Sequence, residues 1–106
     1  MEIINQLKAI SDETRLKIIV LLLNKNYCVR ALSKKLDISE SAVSQHIKIL
    51  KDSGLVIGEK RSYWVHYRVQ EENLYQIGDE VKDLKNYPLS VGKCNNTNCS
   101  KNKGTK

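Results

Sequence analysis

The sequence lacks a long apolar run. Its longest run, residues 18–23, is far shorter than the ~18 consecutive apolar residues that a membrane span needs, so a transmembrane protein is excluded. The run also lies within a helical pattern and far from the N-terminus, where a secretory signal would stand. We therefore expect the protein to stay in the cytoplasm.

Cysteine and histidine are also scarce, with three and two copies respectively. An odd number of cysteines without an export signal argues against a disulfide framework and favours thiol or metal chemistry. The sequence has no glycine-rich phosphate loop, no HExxH motif, and no histidine pair or nucleophile–base set that would indicate a catalytic pocket. These absences argue against an enzyme.

The charge is distributed unevenly along the sequence. The 106 residues suit a single domain, and their formal net charge is +6. Residues 28–68 hold eight basic and four acidic side chains, whereas residues 69–89 hold two basic and five acidic ones. From residue 90 onward there are four lysines and no acid. The middle segment is therefore the candidate for binding a polyanion.

Apolar spacing predicts two helices in the first part of the chain. The first covers residues 2–10, where apolar side chains recur at i, i+4 and i+7. Ser11 is the expected N-cap of the second, since acids follow it in the first turn. Residues 16–23 then indicate a nearly all-buried helix that ends near residues 24–26.

Two shorter helices follow, over residues 29–36 and 40–52. The first is amphipathic and stops at residues 37–39. The second starts after Ser39 as its N-cap and ends at Gly54, which supplies a left-handed C′ position. Two short helices joined by a tight polar turn suggest a helix-turn-helix, although plain bundles contain the same arrangement.

A predicted β-hairpin directly after these helices favours the helix-turn-helix. Its strands include residues 55–57 and 64–69, around a basic tip at residues 58–63, and His66 in the second strand is given no functional role. A last helix covers residues 71–85. The predicted fold is mainly α with a β-hairpin wing, a winged helix-turn-helix in the order α-α-α-α-β-β-α.

The helix at residues 40–52 has a polar face opposite its apolar stripe of Val43, Ile47 and Leu50. That face carries hydroxyls, a glutamine that can pair with adenine, and lysines for guanine or phosphate. Taken alone, this polar face fits an ordinary solvated surface better than a DNA contact. The hairpin that follows and the basic charge of residues 28–68 reverse that preference and favour DNA binding. His46 lies between the two faces as a structural or phosphate-contacting side chain. The predicted DNA-contacting residues are Ser41, Ser44, Gln45, His46, Lys48, Lys51 and, at the hairpin tip, Lys60 and Arg61.

Two sequence blocks and the wing resemble the ArsR/SmtB family of winged-helix repressors. The blocks are AISDETRLKI at residues 9–18 and SAVSQHIKIL at residues 41–50, followed by GLV at residues 54–56. The resemblance implies a homodimer on double-stranded, inverted-repeat operator DNA that represses its own operon and dissociates when a metal ion or another inducer binds. It also implies a dimer interface on the first and last helices, with Ile3, Leu7, Ile10, Leu74, Ile77, Val81 and Leu84.

The metal sites of that family are matched only in part. Where its third helix typically has Cys-Val-Cys, this chain has CVR beginning at Cys28, and the last helix has no histidine for a zinc-type site. Some members use cysteines of a C-terminal extension, and here Cys94 and Cys99 lie in a tail at residues 88–106, expected to be flexible, after a domain at residues 1–87. With Cys28 they would form a thiolate site for arsenite, antimonite, cadmium or lead. Zinc is a further candidate inducer, and no obligatory cofactor is expected.

Other interpretations of these cysteines stay open. Cys28 is as readily a buried small apolar side chain as a ligand. Cys94 and Cys99 also suit a reversible thiol–disulfide switch that responds to oxidant or reactive sulfur. In a third hypothesis the protein has the same fold but responds to no inducer. It is then a DNA-packaging or protein-interaction module whose DNA affinity depends almost wholly on salt concentration.

Overall fold

The computed structural model describes residues 2–90 and has the predicted order of elements, α-α-α-α-β-β-α. They are α1 (Glu2–Ile10), α2 (Glu13–Asn24), α3 (Val29–Leu36), α4 (Glu40–Asp52), β1 (Val56–Arg61), β2 (Trp64–Val69) and α5 (Glu71–Lys82), followed by a short 3₁₀ helix, Leu84–Asn86. The two strands pair antiparallel. Within the described range, no helix is both long and apolar enough to cross a bilayer.

The core lies where α2, α3 and α4 meet the base of the hairpin. Ile18, Leu32 and Leu50, one from each of these helices, are completely buried. Val56 and Val69, the first pair of the hairpin, close the core from the other side. The predicted apolar stripe of α4 is confirmed as part of this core, which turns the polar side of α4 outward.

The N-cap of α2 is Asp12 and not the predicted Ser11. The carboxylate Oδ2 of Asp12 accepts a hydrogen bond from the backbone N–H of Arg15 at 3.0 Å, and this bond lowers the pKa of Asp12 below its ordinary value. Ser11 instead closes α1, because its Oγ donates to the carbonyl of Lys8 at 3.0 Å. The prediction was wrong because a hydroxyl and a carboxylate at adjacent positions give the same capping signal.

α2 is not the nearly all-buried helix that its sequence predicts. Ile18, Ile19 and Leu22 are buried, whereas Leu16 and Val20 are about half exposed. A helix that is apolar on all sides predicts burial on all sides, but a single protomer covers only one side of α2.

α3 and α4 form the predicted helix-turn-helix. α3 ends at Leu36, and its C-cap residue Asp37 has a left-handed φ of 56°. α4 starts after Ser39, whose Oγ accepts a hydrogen bond from the N–H of Ala42 at 3.0 Å, as the sequence predicts. Beyond the other end of α4, Gly54 has a φ of +80°, the left-handed position predicted for it.

The hairpin is longer and its turn tighter than predicted. β1 extends to Arg61, and the turn consists of Ser62, at a φ of 60°, and Tyr63. Lys60 and Arg61 therefore lie in a strand, where alternation places them on opposite faces. The predicted loop was too long because a wing exposed on both faces accepts polar side chains throughout its strands, which removes the alternation signal. Lys60 and Arg61 still directly precede the turn.

The dimer-interface prediction also needs correction. Ile3 and Ile77 are only 2% and 4% exposed within one protomer, so they are core residues. The reason is that α1 packs against α5 of the same chain. α5 ends at Lys82, earlier than predicted, and Leu84 belongs to the 3₁₀ helix. The other predicted interface residues are partly buried at Leu7, Ile10 and Leu74, and exposed at Val81 and Leu84.

Candidate nucleic-acid interface

The polar side of α4 faces solvent along its length. Its exposed members are Ser41, Ser44, Gln45, Lys48 and Lys51. Because the opposite side of α4 is anchored in the core, these side chains project from a rigid helix. Hydroxyl, amide and ammonium groups together can contact base edges and phosphates in the major groove. The structure therefore brings five of the predicted DNA-contacting residues onto one accessible face.

Both lysines of this face are exposed and weakly held. Lys48 Nζ lies 3.2 Å from Asp52 Oδ2, and both side chains are exposed. Exposed pairs of this spacing contribute only ~0.3–0.5 kcal/mol, so a phosphate displaces the carboxylate at little cost. Lys51 Nζ stands 6.0 Å from the centre of the Tyr67 ring, between α4 and the hairpin.

His46 lies between the outward face and the core, as predicted, and its ring contacts the neighbouring helix. Its Nδ1 lies 3.3 Å from Nη1 of Arg15 and 3.9 Å from Oδ2 of Asp12. Arg15 is held in turn by the carbonyl of Ala9, which accepts a hydrogen bond from its Nε at 2.6 Å. His46 thus ties α4 to the N-terminus of α2. From the sequence, its position between the two faces of α4 allowed either a contact with DNA or a contact within the protein. Its contact with the N-terminal end of α2 shows a structural role.

One face of the hairpin carries a carboxylate between two arginines. Glu59 Oε2 accepts a hydrogen bond from Arg68 Nε at 2.9 Å, and its Oε1 lies 3.5 Å from Arg61 Nη2. The hydrogen bond from Arg68, more than the charge of Arg61, lowers the pKa of Glu59. Arg61 is therefore partly neutralised, whereas Lys60 lies on the other face opposite Val65.

Cys28 is the N-cap residue of α3, half-buried, and its side chain makes no capping hydrogen bond. Beside it, the carbonyl of Tyr27 accepts a hydrogen bond from the N–H of Tyr67 at 2.8 Å, in an isolated antiparallel bridge to β2. This bridge sets Cys28 opposite His66, which the sequence pattern alone could not pair because the two residues are far apart in the chain.

The other two predicted metal ligands, Cys94 and Cys99, lie outside the described residues, as does most of the predicted tail. Among residues 2–90, no group of three or more His, Cys, Asp or Glu side chains is arranged to hold a metal ion. The described part of the chain therefore supplies at most part of a metal site.

A helix-turn-helix with an exposed polar second helix, followed by an antiparallel hairpin, defines a winged helix-turn-helix protein. The profile described as "Bacterial regulatory protein, arsR family" matches residues 12–57. The chain is 43% identical over 63 residues to the arsenical resistance operon repressor of Escherichia coli (strain K12), covering 58% of this chain and 54% of that protein. It is 32% identical over 93 residues to the "Cadmium resistance transcriptional regulatory protein CadC homolog" of Staphylococcus aureus, covering 87% of this chain and 77% of that one.

A solved structure with the same fold is the homodimeric winged helix-turn-helix DNA-binding domain of a possible ArsR-family regulator from Mycobacterium bovis. It aligns with a TM-score of 0.67 at 21% identity, over 90% of this chain and 88% of that chain. The chain belongs to the arsR family of bacterial regulatory proteins. It spans about half the length of several curated relatives that it matches, the Escherichia coli repressor among them.

Proposed function

We propose that this protein is a transcriptional repressor that binds an inverted-repeat operator as a homodimer and is released by a thiophilic metal or metalloid. The observation that carries the DNA-binding part is the exposed polar face of α4, held rigid by the buried apolar stripe behind it. A helix of this kind enters the major groove, and one from each protomer would contact one half-site of the operator.

The proposed inducer class is supported by relatives whose names refer to arsenical and cadmium resistance. Arsenite, antimonite, cadmium and lead bind thiolates well. Cys28, Cys94 and Cys99 are the only cysteines of the sequence, so every thiolate site in one chain must draw on them.

Release of the operator requires the inducer to bind the DNA-free conformation more tightly than the DNA-bound one. Cys28 stands at the first turn of α3, the helix that precedes α4 in the helix-turn-helix. An ion held there acts on the element that positions α4. We propose that it changes the spacing of the two α4 helices in the dimer.

The hairpin should add sequence-independent affinity by binding phosphates. Replacing Lys60 and Arg61 together by alanine should weaken binding to all DNA and flatten its salt dependence, because fewer counterions are released. Each protomer of the dimer would then neutralise two phosphates fewer, so the slope of log K against log salt concentration should fall in magnitude by up to about 3.6. Fluorescence anisotropy at several salt concentrations measures this slope.

A matched control for this variant replaces Lys17 of α2 and Lys25, the C-cap residue of α2, by alanine; both are exposed. The charge change is the same, but these lysines belong neither to the hairpin nor to α4. If the salt slope of the Lys60/Arg61 variant matches that of wild type, the hairpin does not touch phosphate.

The inducer is tested on the reduced protein bound to its own upstream DNA. Arsenite, cadmium and zinc are titrated anaerobically into wild type and into a Cys94→Ser/Cys99→Ser variant, with anisotropy as the measurement. We expect a thiophilic ion to release wild type, while the variant keeps its operator affinity and is not released, because it has lost two of three thiolates.

Two other outcomes favour the alternatives. Release by oxidant or persulfide, reversed by a reductant and absent with every ion, would replace the metal with a thiol–disulfide switch. Equal affinity for operator and unrelated DNA, with no response to any ion or oxidant, would leave an inducer-free DNA-binding module.

A further inference from the structure

The two ring nitrogens of His46 have different surroundings. Its Nδ1 lies 3.3 Å from Nη1 of Arg15, on the side of α4 that contacts the N-terminal end of α2. Its Nε2 makes no hydrogen bond within residues 2–90, where Nδ1 of His66 is the one buried side-chain nitrogen or oxygen without a partner. Nε2 of His46 is therefore open to solvent, on a side chain that is 24% exposed. The contact with α2 uses one nitrogen and leaves the other available to a ligand.

Arg15 is a fixed donor at this contact. Its Nε donates to the carbonyl of Ala9 at 2.6 Å, and its Nη2 lies 3.4 Å from the carbonyl of Lys8, so the guanidinium is anchored to the end of α1. A guanidinium has five N–H donors and no acceptor. A ring nitrogen that faces it at hydrogen-bonding distance must therefore be the acceptor.

This contact selects one tautomer of His46. A neutral imidazole carries its proton on one nitrogen only, so an Nδ1 that accepts from Arg15 leaves the proton on Nε2. A proton on Nδ1 would instead set two N–H donors against each other. Asp12 Oδ2 is 3.9 Å from Nδ1, too far for a hydrogen bond, and it already accepts from the backbone N–H of Arg15. The ring therefore presents Nε2–H as a donor to the outside.

This donor lies at the edge of the proposed DNA-binding face. His46 stands between Gln45 and Lys48 in the sequence of α4, and its ring lies between the outward face and the core. Phosphates form the walls of the major groove, so side chains at the edge of a helix in the groove contact the DNA backbone more readily than the base edges. The charge of Arg15 balances the carboxylate of Asp12, so the surroundings of the ring have no net negative charge that would repel a phosphate.

We propose that Arg15 is a positioning residue for DNA binding: it fixes His46 as the Nε2–H tautomer, whose outward N–H donates to a phosphate of the operator. The phosphate contact rests on the proposed function, whereas the tautomer does not. A contact of this kind sets the position of α4 in the groove and carries no sequence information. The His46 ring thus connects α2, α4 and the DNA backbone.

Two amide substitutions separate the roles of the two nitrogens. The amide of asparagine takes the place of Nδ1, and the longer amide of glutamine takes the place of Nε2. His46→Asn therefore keeps an acceptor for Arg15 but loses the outward donor, whereas His46→Gln keeps the outward donor. Fluorescence anisotropy should show His46→Asn binding both operator and unrelated DNA roughly tenfold more weakly per half-site, as for one lost hydrogen bond to a charged group. His46→Gln should retain both affinities.

A purely structural role of His46 predicts the opposite order. His46→Gln would then lower DNA affinity and the unfolding temperature, while His46→Asn would preserve both, so a thermal unfolding curve accompanies each variant. A double-mutant cycle tests whether Arg15 acts through His46. Arg15→Met should weaken DNA binding of the wild type but add little to the loss in His46→Asn. Fully additive losses would contradict the positioning role.

The wild-type protein gives a test that does not depend on the folding of a variant. Without DNA, a nitrogen-15 NMR spectrum should show the proton of neutral His46 on Nε2. When operator DNA is added, this proton should be protected from exchange with water. A proton on Nδ1, or an Nε2–H that still exchanges freely in the complex, would overturn the inference.

The inference and the proposed function fail in different ways. A folded His46→Asn variant with wild-type affinity for DNA would refute the phosphate contact, while operator binding by the wild type would keep the proposed function. Wild-type protein that binds no operator would refute the proposed function and the phosphate contact together, and only the tautomer would remain.

Discussion

Replacing Val81 and Leu84 together by glutamate should yield a folded monomer with operator binding weakened by about 10²- to 10⁴-fold. These apolar side chains are 43% and 50% exposed in one protomer, and no partner within the described part of the chain covers them. Their exposure fits the homodimer of the proposed function, in which a partner protomer would cover this end of the molecule. Two linked half-site contacts gain ~10²–10⁴ in affinity over a single one, and a monomer loses that gain.

Light scattering after size exclusion measures the oligomeric state, and anisotropy measures the operator affinity. The control is Tyr75→Glu, which places one such negative charge on an exposed aromatic position of α5 outside the stripe of Leu74, Ile77 and Val81. If the double variant stays dimeric, the dimer interface lies on another surface of the protein. The exposed side of α2 at Leu16 and Val20 is then the next surface to test.

Gln45→Ala should weaken operator binding by ~1–3 kcal/mol, about 5- to 160-fold, for each half-site and leave the dimer intact. Gln45 is exposed on the outward face of α4, where its amide can donate to and accept from one adenine edge. Because this contact depends on sequence, its loss should also narrow the difference in affinity between operator and unrelated DNA. Anisotropy with both DNAs measures that difference.

The control for this variant is Gln76→Ala, which truncates an exposed glutamine of α5 whose Nε2 donates to Glu80 Oε2 at 3.2 Å. It should leave both affinities unchanged. An equal loss of affinity for operator and unrelated DNA by Gln45→Ala would identify a phosphate contact instead of a base contact. Unchanged binding would remove Gln45 from the DNA-reading face.

The sequence predicted the helix-turn-helix well because its signals are local. Ser39 caps α4 and Gly54 follows its end, as predicted, since a capping hydroxyl and a left-handed glycine act within one helical turn. The 3.6-residue period of α4 likewise identified both its buried stripe and its outward polar face. For this part of the candidate site, the residue types and their spacing were sufficient.

The hairpin and His46 were predicted less well, because nothing local distinguishes the alternatives. Lys60 and Arg61 suit a loop or an exposed strand equally, and only the pairing of β1 with β2 places them in the strand. His46 lies between two faces of α4, and only the tertiary structure shows that its ring contacts Arg15 at the start of α2.

The sequence by itself determined the order of elements, the core of the helix-turn-helix and the face of α4 available to DNA, because periodicity and capping act over a few residues. Only the tertiary structure decided which apolar stripes are covered: Ile77 is core because α1 packs on α5, while Val81 is exposed. It also decided that Cys28 lies opposite His66, through the bridge between Tyr27 and Tyr67. The physical reason is that burial and register depend on neighbours distant in the chain, which local patterns do not specify.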